Sequence, residues 1–129
     1  MRIESQQIDD QTAVCRVSGE LDAYTAPDLR DALEVELGGG NTWIIADLKQ
    51  LSYFDSTGLG ILVGTAKKCR QAGGDFAVAA DRRNLLRIFQ ISGTEQILNV
   101  VPDVEAARAR LRELAQERAE AGADEEEAT

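Results

Sequence analysis

A chain of 129 residues, 43% hydrophobic and 29% charged, has room for one apolar core and leaves no space for a second independent domain. Its formal net charge of −9 offers no basic excess to neutralise phosphates, which excludes nucleic acid as the expected partner. Histidine is absent and no apolar run approaches the length of a membrane span, so imidazole catalysis and a transmembrane architecture both drop out.

The start, Met1-Arg2-Ile3-Glu4-Ser5-Gln6-Gln7, is polar where a signal peptide needs an apolar stretch, which makes the cytoplasm the expected compartment. Ile3 to Ile8 reads as a short strand, joined through Asp9-Asp10-Gln11 to a second strand over Thr12 to Ser18. In that second strand Ala13, Cys15 and Val17 alternate with Val14, Arg16 and Ser18. Cys15 and Cys69 lack the close spacing of a zinc site or a CxxC motif, so both are expected to be buried thiols.

Thr25-Ala26-Pro27-Asp28 marks a helix start, with Thr25 as the expected cap, and the helix should run from about Ala26 to Leu37. Leu29, Ala32, Leu33 and Leu37 share one face, and Gly38-Gly39-Gly40 ends it. Trp43-Ile44-Ile45-Ala46 is a short apolar run that suits a strand buried on both faces, followed by a loop from Asp47. A second helix is expected over Ser56 to Ala72, ended by Gly73-Gly74, and another buried strand over Asp75 to Ala80.

Arg82 to Ile91 reads as a third helix with Asp81 as cap and Gly93 beyond its end, and Ile97 to Val101 as a last strand. Pro102-Asp103 opens a final helix over about 103–118, in which Val104, Ala107, Leu111 and Leu114 repeat at helical spacing. Residues 113–129 hold seven acids against one base, which accounts for −6 of the net charge, and 119–129 is expected to be a disordered acidic tail. The alternation predicts a single α/β domain over 1–115, with a mixed sheet of about five strands covered by about four helices.

The segment Leu51-Ser52-Tyr53-Phe54-Asp55-Ser56-Thr57-Gly58-Leu59-Gly60 carries the chemistry. Ser56 is expected at the N-cap of the second helix, where a phosphate would meet free amides and the positive end of the helix dipole. Such a charge, added beside Asp55 and near Asp22 if the loops converge, would alter a partner surface without unfolding the domain. A capping serine is also a common structural feature, so the modification reading rests on the surroundings: small Gly58 and Gly60, and the apolar Leu59, Ile61, Leu62 and Val63. Gly58, Gly60 and Gly64 give a G-x-G-x-x-x-G spacing without a phosphate-binding lysine, which favours close helix packing at Gly60 and Gly64 over nucleotide binding. No catalytic residue, metal ligand or cofactor is expected, because no serine has an aligned base and the carboxylate pairs lie in loops or on solvated faces.

Two blocks, Gly19-Glu20-Leu21-Asp22 with Thr25-Ala26-Pro27, and Asp47-Leu48 through Phe54-Asp55-Ser56-Thr57-Gly58-Leu59-Gly60, resemble the STAS-domain anti-anti-sigma factors, or anti-sigma factor antagonists, of bacterial partner-switching systems. The likeness continues through Gly73-Gly74 and Leu85-Leu86-Arg87-Ile88-Phe89 to Ser92-Gly93. The resemblance implies that the unphosphorylated domain binds an anti-sigma serine kinase and so frees a sigma factor. It implies that the kinase breaks the complex by phosphorylating Ser56, with Thr57 a secondary candidate, until a serine phosphatase reverses it. The expected partner-binding set is Asp22, Asp55, Ser56, Thr57, Gly58, Leu59 and Leu62; self-association through the apolar helix surface is a further expectation. Two alternatives stand beside this: a STAS scaffold or accessory protein in a sensory or transport complex without sigma control, and, more remotely, a small nucleotide-binding protein.

Overall fold

The computed structural model describes the backbone of residues 1–128 and the side chains of residues 1–122. Strand β1 (Arg2–Asp9) turns into β2 (Thr12–Leu21), antiparallel to it with Ile3 opposite Val17. Asp9 holds that turn, its Oδ1 accepting from the Gln11 amide at 3.1 Å. Then follow α1 (Ala26–Gly38), β3 (Trp43–Phe54), α2 (Ser56–Gln71), β4 (Asp75–Ala79), α3 (Arg83–Ser92), β5 (Val100–Val101) and α4 (Val104–Ala128).

The sheet order is β1-β2-β3-β4-β5, with β2 to β5 parallel and β1 antiparallel, which is the mixed α/β architecture that the sequence predicts. Each parallel step moves one strand in the same direction, so right-handed crossovers lay α1, α2 and α3 on one face. Adjacent residues of each strand therefore serve opposite cores. Cys15, Ile44, Phe76 and Val78 join Leu29, Leu33, Leu62, Leu85 and Phe89 in the larger core. Val14, Ile45 and Ala77 point the other way and pack with Ala107 and Leu111 of α4. Phe54 and Phe89 pack ring to ring at 5.1 Å, joining β3 to α3.

Several boundaries differ from the sequence reading. Strand β3 runs to Phe54 and does not give way to a loop at Asp47. Its buried residues Leu48, Leu51 and Phe54 fall at intervals of three because the β2–β3 register shifts between Arg16 and Ser18 and again between Gly19 and Glu20. Thr25 does not cap α1: its Oγ1 turns back to accept from the Asp22 amide at 2.9 Å and donate to the Glu20 carbonyl at 3.0 Å. Asp81 does not cap α3 either; Arg82 holds that place without a side-chain cap bond.

Strand β5 is two residues long, because Leu98 and Val100 donate their amides back to Thr94 and Glu95 and so hold 94–99 in turns. Asn99 takes a left-handed φ of 48° there, its Nδ2 donating to the Phe76 carbonyl at 2.9 Å.

Helix α4 continues to Ala128, past the end expected near residue 118; Thr129 and the side chains of 123–128, within the expected acidic tail, lie outside the described residues. Arg118 ties this continuation down. Its Nη2 meets Asp75 Oδ2 at 2.7 Å, its Nη1 donates to the Gly74 carbonyl, and its guanidinium lies 5.3 Å over the Trp43 ring.

Candidate functional site

The ends of β2 and β3 converge because the Asp55 amide donates to the Leu21 carbonyl at 3.2 Å. This sets the Asp22–Thr25 turn beside the Asp55–Ser56 junction, so the two sequence blocks meet in space. Only Asp55 separates β3 from α2, and its backbone is extended, with φ −112° and ψ −173°. It is therefore Asp55, and not Ser56, that caps the helix. Its Oδ1 accepts from the Thr57 amide at 3.0 Å and the Gly58 amide at 3.2 Å. Both residue types are good caps, and the one-residue junction decides between them: Ser56 is already in the first helical turn.

The consequence for Ser56 is direct. Its side chain is exposed and, among the described residues, its hydroxyl makes no hydrogen bond. The Thr57 and Gly58 amides are already occupied by Asp55, so a group attached to the Ser56 oxygen does not find them free, contrary to the sequence expectation. It would stand beside the Asp55 carboxylate at the surface. Thr57 is also exposed.

Gly58 is buried for a steric reason: a Cβ there would lie 2.8 Å from the Leu21 side chain. Leu62 is fully buried in the main core and Leu59 is packed against it. Gly58 and Leu62 thus offer no surface to a partner, and Leu59 offers little. Gly60 and Gly64 have nothing within 4 Å of an added Cβ, so close helix packing does not explain them.

Asp22 shapes the opposite side of the site. Its Oδ1 accepts from the Thr25 amide at 2.9 Å and the Tyr24 amide at 3.0 Å, and lies 3.1 Å from the Thr25 hydroxyl, whose single proton it shares with the Glu20 carbonyl. These donors, the Thr25 amide foremost, hold its carboxyl below the ordinary carboxylate range. Two aromatic rings that the sequence reading passed over lie at this end, Tyr24 at 91% exposure and Tyr53 at 49%. No periodicity marks Tyr24, because it sits in a turn; the signal available was an aromatic inside the Asp22–Thr25 block.

Away from this site, the thiols of Cys15 and Cys69 are buried and free. Burial pushes Cys69 up to about 12, with the Asp75 charge adding to it, and burial likewise raises Cys15. Both are held as thiols, which suits core packing. Among the described residues, no three potential metal-ligating side chains cluster.

The family model for the STAS domain matches residues 2–107. An anti-sigma-B factor antagonist of Listeria monocytogenes is 38% identical over 98 residues, which cover 76% of this chain and 86% of that protein. The chain belongs to the STAS-domain anti-sigma factor antagonist family. Among solved structures, an anti-sigma factor antagonist from Mycobacterium paratuberculosis is 27% identical, with a TM-score of 0.76 over 86% of this chain and 95% of the other. The anti-sigma factor antagonist SpoIIAA in its unphosphorylated form is 25% identical, with a TM-score of 0.74 over 86% of this chain and 96% of that one.

The match to the STAS domain takes in both blocks of the candidate site and ends within α4, before Arg118. The clamp that Arg118 forms on Asp75 and Trp43 thus lies partly outside the matched segment. In this STAS domain it sits at the strand starts, whereas Ser56 is at the strand ends. No described helix is long and apolar enough to cross a membrane.

Proposed function

We propose that this protein is a cytoplasmic anti-sigma factor antagonist whose unphosphorylated form binds an anti-sigma serine kinase, thereby freeing a sigma factor. Phosphorylation of Ser56 by that kinase ends the complex, and a serine phosphatase restores it. The observation that carries this reading is the state of Ser56: exposed in the first turn of α2, its hydroxyl unengaged, while Asp55 does the capping. Phosphorylation there costs the fold no internal hydrogen bond of the hydroxyl. It adds a charge of about −1.5 to −2 at the rim that Asp22 and Asp55 already make acidic, where a docked partner must desolvate it. Kinship with SpoIIAA, a protein that has also been solved in a phosphorylated form, supports the same assignment.

The test is affinity capture from the native host with wild-type, Ser56→Ala and Ser56→Asp baits, followed by phosphate mapping with the captured kinase and ATP. The expected result is an anti-sigma-type kinase held by the alanine bait, held weakly by the aspartate bait, and phosphate on Ser56 of the wild type. Equal capture of non-kinase partners by all three baits would instead make this a STAS scaffold, and would sink the switch.

A further inference from the structure

Tyr24 is the most exposed of the large apolar side chains among the described residues, at 91%. Its mounting is nevertheless fixed. The Tyr24 amide donates to Asp22 Oδ1 at 3.0 Å, the Thr25 amide donates to the same oxygen at 2.9 Å, and Thr25 Oγ1 accepts from the Asp22 amide at 2.9 Å. A ring left in water gains nothing for the fold, and the backbone that carries it is pre-ordered for docking.

The turn also has a fixed place relative to Ser56. It begins next to Leu21, whose carbonyl accepts from the Asp55 amide, and Leu21 also packs under Gly58 in the first turn of α2. The apolar part of the partner surface was expected on Leu59 and Leu62, but the core takes Leu62 and most of Leu59. An interface centred on Ser56 therefore needs its apolar anchor elsewhere, and Tyr24 is available. Tyrosine is among the residues that dominate binding energy at interface centres.

We propose that Tyr24 is the apolar anchor of the kinase-bound complex, its ring seated in an apolar slot of the anti-sigma kinase. The turn itself carries the Asp22 carboxylate, and Asp55 adjoins it through the bond from its amide to the Leu21 carbonyl, so the slot carries basic or hydrogen-bond-donating groups on its rim. This rests on the partner-switching reading above. It also ties anchor to switch: a phosphate on Ser56 adds charge to the rim of the same contact that the ring must desolvate.

The test titrates wild-type, Tyr24→Ala and Tyr24→Phe proteins against the purified anti-sigma kinase identified by capture, by calorimetry, with the thermal midpoint of each free protein measured alongside. Tyr24→Ala should weaken binding by roughly 30-fold at an unchanged midpoint, while Tyr24→Phe, which keeps the ring, should bind within about threefold of wild type. Wild-type affinity in Tyr24→Ala would overturn the anchor and leave the partner reading standing. A Tyr24→Ala protein that changes only its own self-association, at unchanged kinase affinity, would give the ring to a second copy of the chain and overturn it too. Failure of the wild type to bind the kinase at all would defeat the partner reading, and the anchor with it.

Discussion

Asp55 and Ser56 are neighbours in different surroundings. Asp55 satisfies two amides of α2, which leaves the exposed Ser56 hydroxyl outside the cap. Asp55→Ala should therefore lose about 1 kcal/mol of stability, the usual worth of an N-cap, seen as a lower urea midpoint at unchanged slope. Ser56→Ala, a surface change away from the cap, should stay within about 0.5 kcal/mol of wild type. The reverse order of effects would return the cap to Ser56. The sequence placed Ser56 at the opening of an apolar helix, and the structure has it there, in the first turn of α2. It did not show which residue caps, because Asp and Ser are nearly equal caps and the choice depends on where the preceding strand stops.

The elements were legible where side-chain period survives and obscure where the backbone breaks it. Helices α1 and α2 start where expected, α3 within one residue, and Gly93 takes the left-handed C-cap at φ 70°. The second half of β3 was missed because two register shifts against β2 replace alternation with a three-residue spacing, and β5 was overdrawn because local turns take the amides of 98–100. The Gly73-Gly74 pair was read only as a helix end, yet its second member has a packing duty. A Cβ on Gly74 would lie 1.8 Å from the Thr42 carbonyl oxygen, and Thr42 leads directly into β3, whose Trp43 pairs with Asp75. Backbone cannot swing aside as a flexible side chain can. Gly74→Ala should therefore cost at least the roughly 1–3 kcal/mol of core overpacking, measured by urea unfolding, whereas wild-type stability would mean that the α2–β4 turn is looser than its contacts indicate.

At the scale of the molecule the sheet is unevenly covered, by three helices on one face and by α4 alone on the other. Among the described residues, Leu114 is the last apolar side chain that α4 packs on the body, one residue short of Ala115, after which the sequence pattern has the stripe fade, so the described turns beyond it have little hydrophobic reason to stay there. Arg118 supplies a polar one. Asp75, its side chain 3% exposed, accepts from Arg118 on one oxygen and from Arg70 Nε at 2.9 Å on the other. The sequence could not reveal this, because 43 residues separate the pair and Arg118 reads as one base among acids. Arg118 is itself 39% exposed, which reduces its contribution below that of a fully buried pair, and Arg70 remains to hold Asp75 when it is removed. Arg118→Ala should thus lower global stability by only about 1–2 kcal/mol. It should also release the helix locally, with amide exchange rising after Leu114 while α2 and β4 stay protected. Unchanged exchange there would show that α4 holds itself without the clamp. Because the clamp lies at the strand starts and Ser56 at the strand ends, the same variant should bind the proposed kinase partner like wild type, so that loosening the C-terminal helix leaves the surroundings of Ser56 undisturbed.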